Sequence, residues 1–503
     1  MNKHLTWAAA SLAAGVMALA GTEPPGDAVR TTRDITLDEA VQTAVQQNPD
    51  ILKAEQEILR TRGVVLQVQA QALPQITVGN AFTDTSRNLL LAGAPPYSAS
   101  SGSNSSMGAS ATAAGQAESA SNNPMTQAWD VTVTASQLIY SGGQVGAAIH
   151  IARYTQDATI YSLRDIVDTT IADVRSEFYA VLLDRAIISV QEENINLLQS
   201  QLTDQQNRFE AGTVPRFNVL QAEVAAENQR PILIQARNAY TIAMTTLSRT
   251  LGLDPGPSGN PTFNAVGDLT VHERPLGLRN AIELGIARRP FLKVQRLAIL
   301  IQKEQIKVAL AGYKPQLNAN VGYEVKNSIL SSRLDDTING WFLGVTGQWN
   351  IFDGFETFGK VKMARANLET ARITYEDSVH QVELEVQQAY ANLQTARETI
   401  KSGQKTVEEA LEALRLAKER LAAGAGVQLD VLNAQVQLTT AESTLLTARA
   451  NYNTALAEFD RVTATDTVYA ETFDDPLTHR GKKKAPSTPA LPDQQNNSKK
   501  KKQ

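Results

Sequence analysis

Few side chains in this sequence could do chemistry, and they are scattered. The histidines His4, His150, His272, His380 and His479 show no HExxH spacing, no paired-ligand spacing and no serine–aspartate partners of a catalytic triad. Cysteine is absent, which excludes disulfides, thiolate metal sites and an acylated N-terminal cysteine. Gly142-Gly143-Gln144-Val145-Gly146 has the glycine content of a phosphate loop but lacks the closing Gly-Lys-Ser/Thr. His380, alone on a helical pattern, reads as a solvated surface residue. No catalytic activity, cofactor or metal is expected. The remaining residue of interest is Asp430, a few positions after Gly424 and Gly426, where a carboxylate would N-cap a helix; Asn218 stands in the same relation to Gly212.

Asp430 and Asn218 have to be positioned by long elements. From Gly340 the sequence reads GWFLGVTGQWNIF, with Trp341, Leu343, Val345, Gly347, Trp349 and Ile351 on one face, the period of a strand. After Phe352-Asp353-Gly354 apolar residues recur in steps of three and four from Ala364 to Ile400, the pattern of a coiled-coil-like helix. Taken from Phe355 to Ala422, that helix would reach about 100 Å at ~1.5 Å per residue. It stops at Ala423-Gly424-Ala425-Gly426, and a second helical pattern begins. The seam residues Ala364, Ala371, Ala389 and Ala396, alternating with Leu368, Tyr375, Val386 and Leu393, are expected to lock protomers together.

The sequence says this twice. Trp129–Tyr140 matches Trp341–Phe352, and Arg208-Phe209-Glu210-Ala211-Gly212 matches Arg420-Leu421-Ala422-Ala423-Gly424, each pair 212 positions apart. The preceding helical segments, opening at Leu37 and Leu278 and closing at Leu73-Pro74-Gln75 and Lys314-Pro315-Gln316, lie 241 apart. The two offsets place an insertion between Phe82 and Trp129, where the sequence is rich in Ser, Ala, Gly and Asn. Each copy reads helix, strand, hairpin loop, strand, very long helix, reversal, helix. The first copy spans 34–252, with strands at about 75–84 and 129–140, an outer loop at 85–128 and a tip at 211–217. The second spans 278–462, with strands at about 316–326 and 340–352 and a tip at 423–429. A linker at 253–277 joins them as an irregular belt, and 463–503 is a C-terminal extension.

The N-terminus reads as an export signal over 1–20, with Lys3, an apolar run and Ala18-Leu19-Ala20 for cleavage. The net charge of −5 conceals a basic end: residues from Arg480 onward carry +7, and removing that and Lys3 leaves −13 on residues 21–479. An acidic body of this kind excludes nucleic acid as a partner. The lysine-rich tail reads as disordered, a solvated extension or a contact with peptidoglycan or anionic lipid. After the signal no apolar run is long enough to span a membrane, so any spanning must be done by strands. Their alternation suits a barrel wall between lipid and a wet lumen, or the edge of a soluble sandwich. Trp129, Tyr323, Trp341 and Trp349 lie where an interfacial aromatic girdle would place them. Four strands cannot close in lipid; two chains would give eight, and three would give twelve with room for a lumen.

The duplicated layout, the LxxAIxxAxxxxP-like openings at Leu37 and Leu278, the strand exits at Tyr140-Ser141-Gly142-Gly143 and Phe352-Asp353-Gly354, and the two glycine tips followed by Val-Leu-x-Ala resemble TolC-like outer-membrane efflux proteins. The resemblance covers about Asp34 to Arg461. It implies a homotrimer whose twelve strands form one β-barrel in outer-membrane lipid, continuous with a twelve-helix α-barrel in the periplasm. It implies as partners a periplasmic adaptor and an inner-membrane pump of RND, ABC or MFS type, and export of drugs, metals or proteins. Gly212, Asn218, Val219, Leu220, Gly424, Asp430, Val431 and Leu432 would form the adaptor-docking tips. Asp430 would line the periplasmic gate as a cation-attracting ring, with Asn433 where a second acidic ring occurs in some members. Gln144 and Glu356 stand where arginine is common, and Phe355 where glycine is. Two rival readings are an outlet for type I protein secretion and an exported coiled-coil spacer with no pore.

Overall fold

The structure is a computed structural model and describes residues 33–84, 127–253, 263–272, 274, 277–327 and 334–465. The expected signal, nearly all of the 85–128 loop, and the extension beyond Thr465 with its basic tail lie outside these residues.

The chain opens with β1 (Arg33–Ile35), α1 (Leu37–Gln47) and α2 (Pro49–Ala70). The sequence pattern suggested one continuous helix through Asn48-Pro49, and the structure corrects this. Asn48 is extended and its side chain accepts from Asp50 N and Ile51 N at 2.8 and 3.3 Å, while Pro49 takes the first helical position. Asn48 Nδ2 also donates to Thr250 O at 2.8 Å, so the break is pinned to a residue 202 positions away. Upstream, Thr36 and Glu39 exchange the two hydrogen bonds of a capping box.

Then follow β2 (Gln75–Asp84), β3 (Gln127–Tyr140), α3 (Gln144–Glu210) and α4 (Arg216–Leu251). After β4 (Phe263–Ala265), the second copy gives α5 (Leu278–Arg288), α6 (Pro290–Leu310), β5 (Gln316–Asn327), β6 (Thr337–Gln348), α7 (Glu356–Ala422) and α8 (Gln428–Thr463). Both long helices have 67 residues and both returning helices have 36. Every boundary of the second set lies 212 positions after that of the first.

β2, β3, β5 and β6 form one antiparallel sheet in that order. β2 and β6 are edges, each with a row of backbone groups that no other strand pairs among the described residues. The helices repeat this order. α3 packs on α2 and α4 on one side and on α6 and α8 on the other, whereas α7 packs on α5, α6 and α8. α3 is therefore central, and α7 is an edge directly below β6.

The seams inside the chain are apolar. Ala40, Val41, Val174, Phe178, Val181, Leu247 and Leu251 form one cluster, and Val382, Val386, Ala389, Leu393, Tyr452, Phe459 and Val462 form its counterpart. Leu393 is 4% exposed within a single chain. The alanine–leucine seam thus joins α7 to its own α5, α6 and α8 rather than to another protomer, as the sequence pattern had suggested.

The linker was expected to be irregular, yet part of it is sheet: β1 and β4 pair in parallel as Arg33↔Phe263, Asp34↔Asn264 and Ile35↔Ala265. Further along, Arg274 Nη1 donates to both oxygens of Asp460 at 2.9 and 3.1 Å. Arg175 lies 3.8 Å from the same carboxylate, and Thr465 Oγ1 donates to it at 3.1 Å. Burial pushes the Asp460 carboxyl above its usual range, against the pull of Arg274, Thr465 and Arg175.

Candidate functional site

The two reversals are alike because the same residue solves the same problem. Gly212 and Gly424 have φ +74° and +71°, a left-handed conformation in which a side chain is strained. In each, the residue after the glycine donates its N–H back into the last turn of the long helix: Thr213 N to Arg208 O and Ala425 N to Arg420 O, both at 2.9 Å.

The N-caps differ from the sequence reading. Pro215 and Val427 occupy the capping positions, so Asn218 and Asp430 are not caps but third helical residues. Asp430 still contributes from there, its carboxylate accepting Val427 N–H at 3.3 Å. Asp430 and Asn433 are exposed, one turn apart on the same helix face, with Leu429 also exposed. Val431 and Leu432 face into the chain, at 3% and 8% exposure, and are not available to a partner. Asn218 and Val219 are half-buried, whereas Phe217, Leu220 and Val427 are exposed and apolar.

The sheet has two chemically distinct faces. Pairing sets Ile76, Val78, Val131, Val133, Val321, Tyr323, Trp341, Leu343 and Val345 on one side. All nine side chains are exposed, Ile76 and Trp341 by 73% and 77%. Thr77, Thr132, Thr134, Ser136, Asn318, Asn320 and Glu324 occupy the other. Within water such an apolar face would be a severe liability; against hydrocarbon it is a requirement.

Trp129 lies at the hairpin end of the sheet, its backbone N–H bonded to Asn327 Oδ1 at 2.9 Å, and its Nε1 donates to Leu334 O at 3.2 Å. Trp349 lies at the helix end, where its Nε1 donates to Tyr313 O at 3.1 Å. The two are separated by about 40 Å along a strand, or about 30 Å after a barrel strand's tilt. Tyr323 and Trp341 face each other between those levels. β6 ends at Gln348, short of the Phe352 that the alternation suggested, because Gln316, its last partner on β5, pairs with Gln348.

Sequence reasoning missed a row of buried amides between the long and returning helices. Gln229 Nε2 donates to Gln191 Oε1, Gln435 Nε2 to Asn194 Oδ1 at 3.2 Å, and Gln205 Nε2 to Gln428 Oε1 at 3.3 Å. The available signal was spacing: Gln191, Asn194, Leu198 and Gln205, like Gln428 and Gln435, recur at heptad positions otherwise held by apolar residues. An open groove of about 490 Å³ beside them is lined by Thr439, Ser443 and Thr447. Each of those hydroxyls donates to the carbonyl four residues earlier, which leaves no hydroxyl hydrogen free for a ligand.

His380 is exposed, with Nδ1 3.4 Å from Glu383. Among the described residues no cluster of three His, Asp or Glu could hold a metal ion, and no helix is long and apolar enough to cross a membrane.

The family model for "Outer membrane efflux protein" matches residues 40–253 and 281–465, one stretch for each copy of the repeat. The chain belongs to the outer membrane efflux protein family. Its place is accordingly the outer membrane, extending into the periplasm. Solved structures similar to it include the CmeC outer membrane channel of Campylobacter jejuni, with TM-score 0.70, 14% identity and 88% of each chain covered. VceC of Vibrio cholerae has TM-score 0.68 and 15% identity over 85% of this chain and 95% of that one. The open state of MtrE from Neisseria gonorrhoeae has TM-score 0.65 and 17% identity over 85% and 88%. At these identities the likeness is one of fold. A curated relative, toxin and drug export protein A of Aggregatibacter actinomycetemcomitans, is 24% identical over 236 residues, 45% of this chain. The match spans about half of that relative's length.

Proposed function

We propose that three copies of this outer membrane efflux protein assemble into a twelve-stranded barrel continuous with a twelve-helix periplasmic barrel, and that this duct carries small toxic molecules out of the cell. The observation that carries the reading is the sheet. It presents an exposed apolar face, leaves two edges unpaired among the described residues and continues directly into the long helices. Open edges in lipid cost several kcal/mol per unpaired backbone group, so the sheet has to be closed by further copies. Trp129 and Trp349, near its two ends, serve as the aromatic girdle, with Tyr323 and Trp341 between them.

A passive duct of this kind needs a driving force from its partners. A periplasmic adaptor and an inner-membrane pump of RND, ABC or MFS type supply it. The adaptor docks at the glycine tips, where Phe217, Leu220, Val427 and Leu429 offer exposed apolar contacts. Asp430, repeated three times about the axis, forms the cation-attracting ring at the closed end, with Asn433 one turn along. The name of the curated relative, toxin and drug export protein A, supports both drug efflux and a second reading as the outlet of a protein secretion system.

Planar-bilayer conductance of the purified protein, beside Asp430→Ala, tests this. Discrete openings that rise or lose cation blockade in the variant support the channel and its gate. Well-folded protein that never enters lipid would instead favour a coiled-coil spacer.

A further inference from the structure

We propose that the second repeat carries a pocket for an acidic peptide, made by Arg397, Lys401 and Arg449 beneath the linker, and that the acidic stretch following α8 fills it. The pocket belongs to a single chain and stands apart from the proposed duct.

The linker that covers it is tied down on both sides. Leu269 is buried in the first apolar cluster and Val271 packs on the second, so residues 268–271 cross from one repeat to the other. Two bonds fix the crossing to α8: Asn453 Nδ2 donates to Thr270 O at 3.3 Å, and Tyr452 Oη to His272 O at 3.1 Å. Beside it lies a cavity of about 500 Å³, lined among others by Arg397, Lys401, Gln404, Arg449, Asp268 and Thr270. That volume suits a small molecule or a short stretch of peptide.

The same place in the first repeat is neutral. At the positions 212 earlier stand Arg185, Ser189, Glu192 and Arg237. There Arg237 pairs with Glu192 at 2.7 Å, and Arg185 Nη1 donates to Ala265 O at 3.2 Å. The second repeat keeps both arginines but has Gln404 in place of the acid and Lys401 in place of the serine. Two cations and an acid are thereby replaced by three cations. Among the described residues neither Lys401 nor Arg449 forms an ion pair. Asp268, which also lines the cavity, accepts from Thr270 Oγ1 at 2.9 Å.

The spread of charge selects the ligand. Arg397 and Lys401 are one turn apart on α7, about 6 Å, and Arg449 lies on the neighbouring helix, roughly 8–10 Å away by axis. Cations this far apart match carboxylates spaced along a peptide better than one compact anion. Such a peptide is within reach. Arg449 lies about 24 Å before Thr465 along α8. Residues 466–475 carry Asp466, Glu471, Asp474 and Asp475 with no lysine or arginine, and extended they span about 33 Å. Attachment to α8 holds these carboxylates near the pocket at an effective concentration on the order of millimolar.

A carbodiimide, which joins a lysine to a carboxylate only where the two touch, tests this on the detergent-purified full chain, with linked peptides read by mass spectrometry. The Lys307–Glu304 pair, at 2.7 Å, is the internal standard. Lys401 is expected to couple to one of Asp466, Glu471, Asp474 and Asp475. Arg449→Gln should lower that yield at least threefold against the standard, and so should Gln404→Glu, which restores the acid of the first repeat. The reaction is repeated with labelled tetraglutamate in excess. Coupling of Lys401 to the added peptide and never to 466–475, with the same dependence on Arg449 and Gln404, would overturn the assigned occupant and leave the pocket standing. Coupling to neither, or a yield that both variants leave unchanged, would overturn the pocket itself.

Discussion

Arg274 and Asp460 form a two-pronged ion pair, with Nη1 at 2.9 and 3.1 Å from the carboxylate oxygens, between the segment joining the two repeats and the last turns of α8. The pair is unevenly buried, Arg274 being 46% exposed and Asp460 14%. Loss of the acid also removes the contact that Arg175 makes at 3.8 Å. Asp460→Ala is expected to cost about 2 kcal/mol and Arg274→Ala less than about 1, measured as thermal unfolding in detergent. An equal cost would mean that the exposed partner contributes as much as the buried one.

The acid dependence of stability has a definite sign. Burial comes first among the causes that raise the carboxyls of Asp165, Asp173, Glu177, Asp184, Glu442 and Asp460 above their ordinary values. Burial also opposes the charge of Glu385, but hydrogen bonds from Gln381 and Arg289, with the charge of Arg289, hold that group below its usual value. A carboxyl with a raised folded-state pKa adds stability below its unfolded pKa that is lost as pH rises through the folded value. The melting temperature should therefore rise as pH falls from neutral through the upper carboxylate range, then fall when Glu385 and the surface pairs protonate. Asp460→Asn should flatten the first part of that profile, measured by calorimetry.

Leu393→Asp buries a charge inside the chain's own α5–α7–α8 seam, so it should abolish the fold and not merely assembly. Leu393→Ala should leave a folded protein weakened by about 2–4 kcal/mol. Protease resistance distinguishes these outcomes: a folded Leu393→Asp monomer would show that the seam is not structural.

Gly424→Ala places a Cβ at φ +71°, in open space, so its cost is conformational alone and should be about 1–2 kcal/mol. The effect should be confined to the tip, as faster amide exchange over residues 420–430 with the sheet unchanged. Asp430→Asn, which retains an acceptor for Val427 N–H, should leave that exchange nearly as it is while still removing the charge.

Much of the architecture was legible because it is written twice. The equal offsets of Trp129 and Trp341, and of Gly212 and Gly424, mark a duplication that no single strand or helix pattern could establish. The break at Asn48 was harder to read, since the helical period continues across it; the Asn48 cap with Pro49 at the first helical position makes the bend, and the bond to Thr250 pins it. Periodicity shows that Leu393 lies on a seam but not which helix fills the other side. Leu393 could not be assigned to the chain's own α5, α6 and α8 until their packing was known. The cap assignments failed by three residues for a related reason: Asp430 reaches back to Val427 from inside the helix, and composition alone does not distinguish that from standing at its start.

Two helices of 67 residues, each returned by a helix of 36, act as struts cut to one length. Struts of one length are what a level base requires. A single deletion in either long helix would tilt that base, rotate every later side chain by about 100° and spoil both the seat and the seam at once. An inserted residue between β2 and β3 does neither, which is why added length in this duplicated sequence accumulates there.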